Sequence, residues 1–267
     1  MSHKSDLSVL DRQDILEIIF PLAYSPFCFS PMEGNRVTHD YTQFIEVESG
    51  IKIECGFWGR NKHIPTILYF HGNGETVSDY SEIAQAYNQI GVNFFVCDYR
   101  GYGMSDGKPT ITNLIGDAHF IYKGFRNILD EEGYELKIFL MGRSLGSMPA
   151  VEVAYRFQDE ISGLIIESGA ANNLQRLWSY LDPSVVEKLK GSDFLNKEKI
   201  KKVLIPTLII HGQEDEVLPI EEGIELYDSS GAEQKDILVV SGAGHNDLML
   251  MGQGKYFRKI KEFINNT

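Results

Sequence analysis

Apolar and polar residues change their pattern once along this chain, and the change predicts its architecture. Phe44-Ile45-Glu46-Val47-Glu48 and Ile51-Lys52-Ile53-Glu54-Cys55-Gly56-Phe57 alternate around Ser49-Gly50, which is the period-two pattern and turn of an antiparallel hairpin. Beyond it the alternation gives way to continuous apolar runs: Thr66-Ile67-Leu68-Tyr69-Phe70, Asn93-Phe94-Phe95-Val96-Cys97, Ile138-Phe139-Leu140-Met141, Gly163-Leu164-Ile165-Ile166, Thr207-Leu208-Ile209-Ile210 and Ile237-Leu238-Val239-Val240. Such runs read as strands buried on both faces, and each is followed by a segment of helix length, a β-α-β rhythm. The pattern predicts an α/β fold: a mostly parallel eight-stranded sheet, opened by the antiparallel N-terminal hairpin, with helices on both faces. In such sheets the reactive residues gather at the carboxyl ends of the strands.

Two stretches depart from the rhythm. The first forty residues hold a short amphipathic run, Ile15 to Phe20 after Asp11, and then proline-containing irregular chain to Pro31. The run predicts a helix packed on the sheet edge, since it lacks the basic face of a membrane-surface anchor. The connection from Ser168 to Val203 exceeds what one crossover helix requires, and predicts a small cap insertion over residues 169–202. No repeat, low-complexity tract or long linker interrupts the 267 residues, so a single domain spanning 1–267 is expected.

Composition narrows the class. Apolar residues make up 43% of the chain, yet no stretch approaches the roughly 20 apolar residues of a membrane span, and the polar start lacks the apolar core of a signal peptide. Membrane insertion is not expected. Cys28, Cys55 and Cys97 are scattered and odd in number, which suits a reducing compartment, and cytoplasmic placement is the expectation. With 25 basic against 38 acidic side chains, the net charge of −13 disfavours nucleic acid and anionic membranes as partners. No histidine or cysteine spacing suggests a metal, so a small-molecule substrate and no cofactor are expected. Oligomeric state is not readable.

The chemistry enters at Gly142-Arg143-Ser144-Leu145-Gly146, a G-x-S-x-G run at the end of a predicted buried strand and the start of a predicted helix. A serine on that sharp turn is held in a strained conformation, so the positions two before and two after it must lack bulk. Ser147 is placed to cap the helix, and Pro149 fits its first turn. A serine hydroxyl needs a base within hydrogen-bond reach, and the base needs a third group to fix its tautomer. Asp215 lies in the loop after the seventh strand, between the equally acidic Glu214 and Glu216, and His245 follows the eighth. The order Ser, Asp, His is the one such folds use. Of the other histidines, His3, His39 and His63 sit near the terminus or in hairpin connections, His119 falls on a predicted helix, and His211 reads as structural. A histidine also supplies the neutral imidazole that a general base requires near neutral pH.

A third device, His71-Gly72-Asn73-Gly74, ends the strand after the hairpin. Its glycines let backbone N–H groups approach a ligand oxygen, so the N–H of Asn73 and that of Leu145 are the candidate oxyanion hole. The loop Asp98-Tyr99-Arg100-Gly101-Tyr102-Gly103-Met104-Ser105 has a Gly-x-Gly spelling but opens no helix, which excludes a dinucleotide turn.

Together, His71-Gly72-Asn73-Gly74, the loop at Asp98 and Gly142-Arg143-Ser144-Leu145-Gly146-Ser147 resemble the α/β-hydrolase superfamily, and within it the Bem46-like and serine-aminopeptidase-like hydrolases with a small cap. The likeness runs from about Tyr41 to the C-terminus. Members are mostly esterases, thioesterases, lipases or peptidases, so the resemblance implies acyl hydrolysis without naming the acyl donor. Mammalian relatives that remove palmitoyl groups carry an N-terminal cysteine cluster, absent from this chain, which argues against that activity.

The expected function is serine-dependent hydrolysis of carboxylic esters, with Ser144 as nucleophile, His245 as base and Asp215 as its orienting acid. In the cap, Leu174, Leu177, Trp178, Tyr180 and Leu181, and beyond the histidine, Leu248 and Met249, are candidates for an apolar acyl pocket or for ordinary packing. Arg143 either favours an acidic substrate or points away to a salt bridge. The alternatives are a serine peptidase of aminopeptidase type, with Glu75 as the candidate partner of a substrate ammonium, an acyl-thioesterase, a perhydrolase on the same three residues, and a ligand-binding receptor that retains the fold.

Overall fold

The computed structural model describes residues 7–24, 39–173, 175–190 and 192–267. The expectations placed on the polar start, on the chain to Pro31 with Cys28, and on Leu174 lie outside the described residues. The chain divides into two compact units, Asp6–Leu136 and Lys137–Thr267.

In the first unit the amphipathic run forms helix α1 (Gln13–Ile19), with Ile15, Leu16 and Ile19 buried, and a single turn, α2 (Pro21–Tyr24), follows it. The alternating segments form β1 (Thr42–Glu48) and β2 (Ile51–Trp58), antiparallel with Ile45 opposite Ile53. Ile45 and Val47 are buried while Glu46 and Glu48 are exposed, and Gly50 turns the chain at φ +77°, where a Cβ is costly. The first two continuous runs are β3 (Thr66–Phe70) and β4 (Asn93–Cys97), buried throughout and parallel to each other. β4 also pairs antiparallel with β2.

Helix α3 (Ser81–Gln89) leads into β4. Helix α4 (Ile111–Glu132) starts at Thr110, whose hydroxyl accepts the Asn113 N–H at 3.0 Å, and stops at the left-handed Gly133. Its buried Ile111, Leu114, Ala118, Ile121, Phe125 and Leu129 recur every three or four residues, the stripe that seats a helix on a sheet.

In the second unit β5 (Ile138–Arg143), β6 (Gly163–Glu167), β7 (Thr207–Gly212) and β8 (Lys235–Val240) pair in that order, all parallel. The first three are fully buried, whereas β8 is buried only at Val240. Helix α5 (Ser147–Phe157) joins β5 to β6, α8 (Ile220–Ser229) joins β7 to β8, and α9 (Leu248–Asn266) closes the chain. Between β6 and β7 lie a 3₁₀ segment at Gln175–Tyr180, α6 (Pro183–Leu189) and α7 (Asn196–Ile200). The long connection thus carries helices of its own. Asp182 caps α6 by accepting the Ser184 N–H at 2.8 Å, with Pro183 in the first turn.

The strands run β1-β2-β4-β3 in the first unit and β5-β6-β7-β8 in the second, mostly parallel with antiparallel N-terminal strands, as the change of pattern predicts.

Candidate active site

The site is assembled within the second unit from the ends of three strands, β5, β7 and β8. β5 delivers Arg143 and then Ser144, whose φ of +51° is the strained conformation of a sharp elbow. A 3₁₀ turn, Ser144–Gly146, leads directly into α5. Gly142 is required: a Cβ there would lie 2.3 Å from the Gly146 carbonyl oxygen and 2.6 Å from the Ala150 Cβ, so a side chain would force the helix off its strand. One detail differs from expectation. The cap position falls on Gly146 and Ser147 is the first residue inside α5, because the tight turn consumes Ser144 to Gly146. The Ser147 hydroxyl instead donates back to the Ser144 carbonyl at 2.7 Å.

The three residues expected to act together do meet. His245 Nε2 lies 2.9 Å from Ser144 Oγ, and its Nδ1 lies 2.8 Å from Asp215 Oδ2. A carboxylate only accepts, so Nδ1 carries the proton and donates it, leaving Nε2 to accept from the hydroxyl. The Asp215 side chain is sealed from solvent and that of His245 is 8% exposed. Exposure separates Asp215 from its acidic neighbours, since Glu214 and Glu216 are both exposed.

Asp215 is held on both oxygens. Oδ1 accepts the Val217 and Leu218 N–H groups at 2.9 and 2.8 Å, and Oδ2 faces His245 and, at 3.4 Å, Nε2 of the buried His211. Burial alone would raise its pKa, but the hydrogen bonds from His211, His245 and Leu218 outweigh it and hold the carboxyl well below its ordinary range. His211 also meets the Leu218 carbonyl through Nε2 at 2.8 Å, which agrees with its structural reading.

Sequence reasoning missed Asn196. From the N-terminus of α7 its amide donates to Ser147 Oγ at 3.1 Å and to the Ala170 carbonyl at 2.9 Å, while Asn173 donates to its Oδ1 at 3.2 Å. This buried amide chain ties the long connection to the elbow. Asparagine at a helix start is common enough that only the fold reveals its partner.

The remaining expected residues divide by position. Leu145 is half-buried in the elbow. Asn73 lies in the first unit, where its Nδ2 donates to the Ile19 carbonyl at 2.5 Å and its Oδ1 accepts the Tyr102 hydroxyl at 2.7 Å, so its turn is anchored from two sides. Glu75 accepts both the Gly72 N–H at 2.8 Å and the Tyr80 hydroxyl at 2.5 Å. Leu177, Leu181 and Leu248 are buried. Trp178 and Met249 are half-buried and Tyr180 is exposed. Among the described residues no group of three or more His, Cys, Asp or Glu could hold a metal ion, and no helix is long and apolar enough to cross a membrane.

The strand order, the elbow and its histidine and carboxylate neighbours define the class: this chain belongs to the α/β-hydrolase superfamily. The family pattern described as "Serine aminopeptidase, S33" matches residues 61–191. Human alpha/beta hydrolase domain-containing protein 17B is 33% identical over 209 residues, covering 75% of this chain and 66% of its own length. The 17C protein of Xenopus tropicalis is 34% identical over 208 residues, covering 75% and 62%. The chain therefore spans just under two thirds of these relatives. Among solved structures, Est1E from Butyrivibrio proteoclasticus with ferulic acid bound is similar at a TM-score of 0.68 and 19% identity, over 84% of this chain and 98% of that one. A monoacylglycerol lipase of Paleococcus ferrophilus is similar at 0.61 and 20%, over 80% and 99%. At these identities the likeness is one of fold.

Proposed function

We propose that this chain is a cofactor-independent serine hydrolase that cleaves carboxylic esters of small acyl substrates through an acyl-enzyme. The observation that carries the reading is the hydroxyl–imidazole–carboxylate chain at 2.9 and 2.8 Å on a serine with positive φ. Ser144 Oγ attacks the ester carbonyl as its proton passes to His245 Nε2. The tetrahedral intermediate then expels the alcohol, which takes that proton as the C–O bond breaks. Water repeats the attack on the acyl-enzyme and returns the serine.

Asp215, kept ionised by its donors, orients the imidazole and stabilises its charged form. The oxygen of the intermediate takes the Leu145 N–H as a donor; losing such a donor typically costs about 10²–10³ in rate. Leu177, Trp178, Leu181, Leu248 and Met249 are the side chains proposed to receive the acyl group. The ester reading also agrees with two proteins of like fold, Est1E with ferulic acid bound and a monoacylglycerol lipase.

An aminopeptidase reading has the matched family's description behind it. It is the weaker one, because Glu75 already receives two donors of its own unit. The test is hydrolysis of p-nitrophenyl esters from acetate to palmitate beside thioesters and aminoacyl amides, with fluorophosphonate labelling, for wild type and Ser144→Ala. Ester turnover with a chain-length optimum, lost with labelling in the variant, is expected. Turnover surviving in Ser144→Ala rejects the mechanism; preference for aminoacyl amides selects the peptidase. Ligand-induced thermal shifts without any turnover select a receptor.

A further inference from the structure

We infer that Arg143 is a positioning residue: it fixes the backbone of the His245 loop against the nucleophile, and is itself fixed by a buried Glu167–Tyr256 pair. The inference rests on the reading of Ser144, His245 and Asp215 given above, and concerns how the base is held in place.

Arg143 and Glu167 are register partners at the ends of β5 and β6, with Arg143 Nε 3.3 Å from Glu167 Oε1. From α9, the Tyr256 hydroxyl donates to the other carboxylate oxygen at 2.5 Å. Arg143 Nη2 then donates to the His245 carbonyl at 3.0 Å and to Asn246 Oδ1 at 2.7 Å. The side chains of Arg143 and Glu167 are 10% and 2% exposed, and Tyr256 is fully buried. The end of β6 and the loop after β8 thus meet on one guanidinium, and α9 reaches it through Glu167.

The consequence for His245 is that it is gripped at both ends. Its ring is held by Asp215 at Nδ1 and its own carbonyl by Arg143, while the preceding Gly244 N–H donates to Asp247 Oδ1 at 2.7 Å. A base must sit within hydrogen-bond reach of the proton it takes, and a misplacement near 1 Å can cost about 10²-fold. The planar fork of arginine can serve Glu167 through Nε and the loop through Nη2 together. A lysine ammonium, a point charge on a flexible stem, cannot hold that geometry. The same occupancy speaks against Arg143 as a receptor for an acidic substrate: its contacts are to this chain and its head is nearly sealed.

The test compares three variants with wild type in steady-state ester hydrolysis, fluorophosphonate labelling and thermal melting. Arg143→Lys keeps the buried charge and loses the fork. Asn246→Ala removes one arm at an exposed residue, where folding is not at stake. The double variant Arg143→Met, Glu167→Gln removes both buried charges together, since removing one alone leaves the other uncompensated. In Arg143→Lys kcat and the labelling rate should fall about 10–100-fold with KM within about twofold and the melting temperature near that of wild type, and Asn246→Ala should fall less, in the same direction. The loss should disappear when Arg143→Lys is built into His245→Ala, because the arginine acts through that histidine.

Folded Arg143→Lys and Asn246→Ala with wild-type kcat overturn the inference. So does a loss equally large without His245, or one confined to KM for acidic esters. Ser144→Ala measured alongside keeps the two readings apart: activity surviving there rejects the catalytic assignment itself, whereas activity lost there but intact in Arg143→Lys rejects only the tether.

Discussion

Each unit holds a histidine beside a carboxylate at the end of its strands, and only one of the two is fit to take a proton. In the first unit His71 is sealed with Asp98, both at 0% exposure, with Nε2 3.2 Å from Asp98 Oδ1 as an ion-pair contact. Its Nδ1 faces the Gly72 carbonyl at 2.8 Å, so acceptors lie at both nitrogens. A ring with two acceptors is most stable carrying two protons, and such a ring has no lone pair for a hydroxyl. In the second unit His245 has a carboxylate on one nitrogen and a hydroxyl on the other. Its Nδ1 proton points at the carboxylate, so Nε2 keeps a lone pair toward the hydroxyl. A histidine–carboxylate pair is therefore no sign of catalysis by itself; what the free nitrogen faces decides.

The largest effect that could break this contrast is on rate. His245→Ala is expected to lower kcat by about 10⁴-fold or more and abolish phosphonate labelling while leaving the melting temperature nearly unchanged. Retained labelling in the folded variant would mean that another group activates Ser144. Asp215→Asn follows: the geometry survives, but an amide in place of the carboxylate no longer fixes the Nδ1–H tautomer, and a loss of about 10³–10⁴ in kcat is expected. A drop below tenfold would assign the tautomer to the backbone.

His71→Ala should invert the pattern. Removing one partner of a sealed pair leaves the Asp98 carboxylate uncompensated, which costs about 3–5 kcal/mol of stability, measurable as a lower urea midpoint. Asp98 is also the acceptor of the Val77 N–H at 2.8 Å, so the start of the helical segment behind the turn is disturbed with it. A variant of wild-type stability with kcat reduced as far as in His245→Ala would make His71 part of the chemistry and erase the distinction between the pairs.

How much of this was readable without coordinates follows from the range of each interaction. Strands were legible because burial on both faces forces continuous apolar runs: β3 and β4 begin and end where the runs do, and β8 begins two residues early only because Lys235 and Asp236 lie on a partly exposed strand. That Ser144, Asp215 and His245 would meet was legible because all three follow strand ends, in the order Ser, Asp, His. Their supports were not. Tyr256 reaches Glu167 across 89 residues and Asn196 reaches Ser147 across 49, and nothing local distinguishes a tyrosine or asparagine that finds such a partner from one that faces water. Asp215 against Glu214 and Glu216 was decided by which side chain turns inward, a property of the whole loop.

The smallest effect, and the one that separates the pairs most cleanly, is the sign of their pH dependence. Burial lowers the pKa of His71, but the hydrogen bond and charge of Asp98, the Gly72 carbonyl and the charge of Glu75 outweigh it, leaving it raised above the ordinary 6.5. A raised folded-state value means that the protonated ring binds its proton more tightly folded than unfolded. The stability it contributes is then complete below about pH 6.5 and is lost as pH rises through the folded value. Asp215 has the opposite sign: its lowered value makes its contribution complete above the ordinary carboxylate range near 4, and it is lost as pH falls below that range toward the folded value. Urea midpoints should therefore show the gap between wild type and a His71 variant narrowing from pH 6 to 9. The gap between wild type and Asp215→Asn should stay flat from pH 7 to 5 and narrow below about 4. A His71 gap that widens with rising pH would mean that the ring is neutral when folded, and that the two histidines differ only in how deeply they are buried.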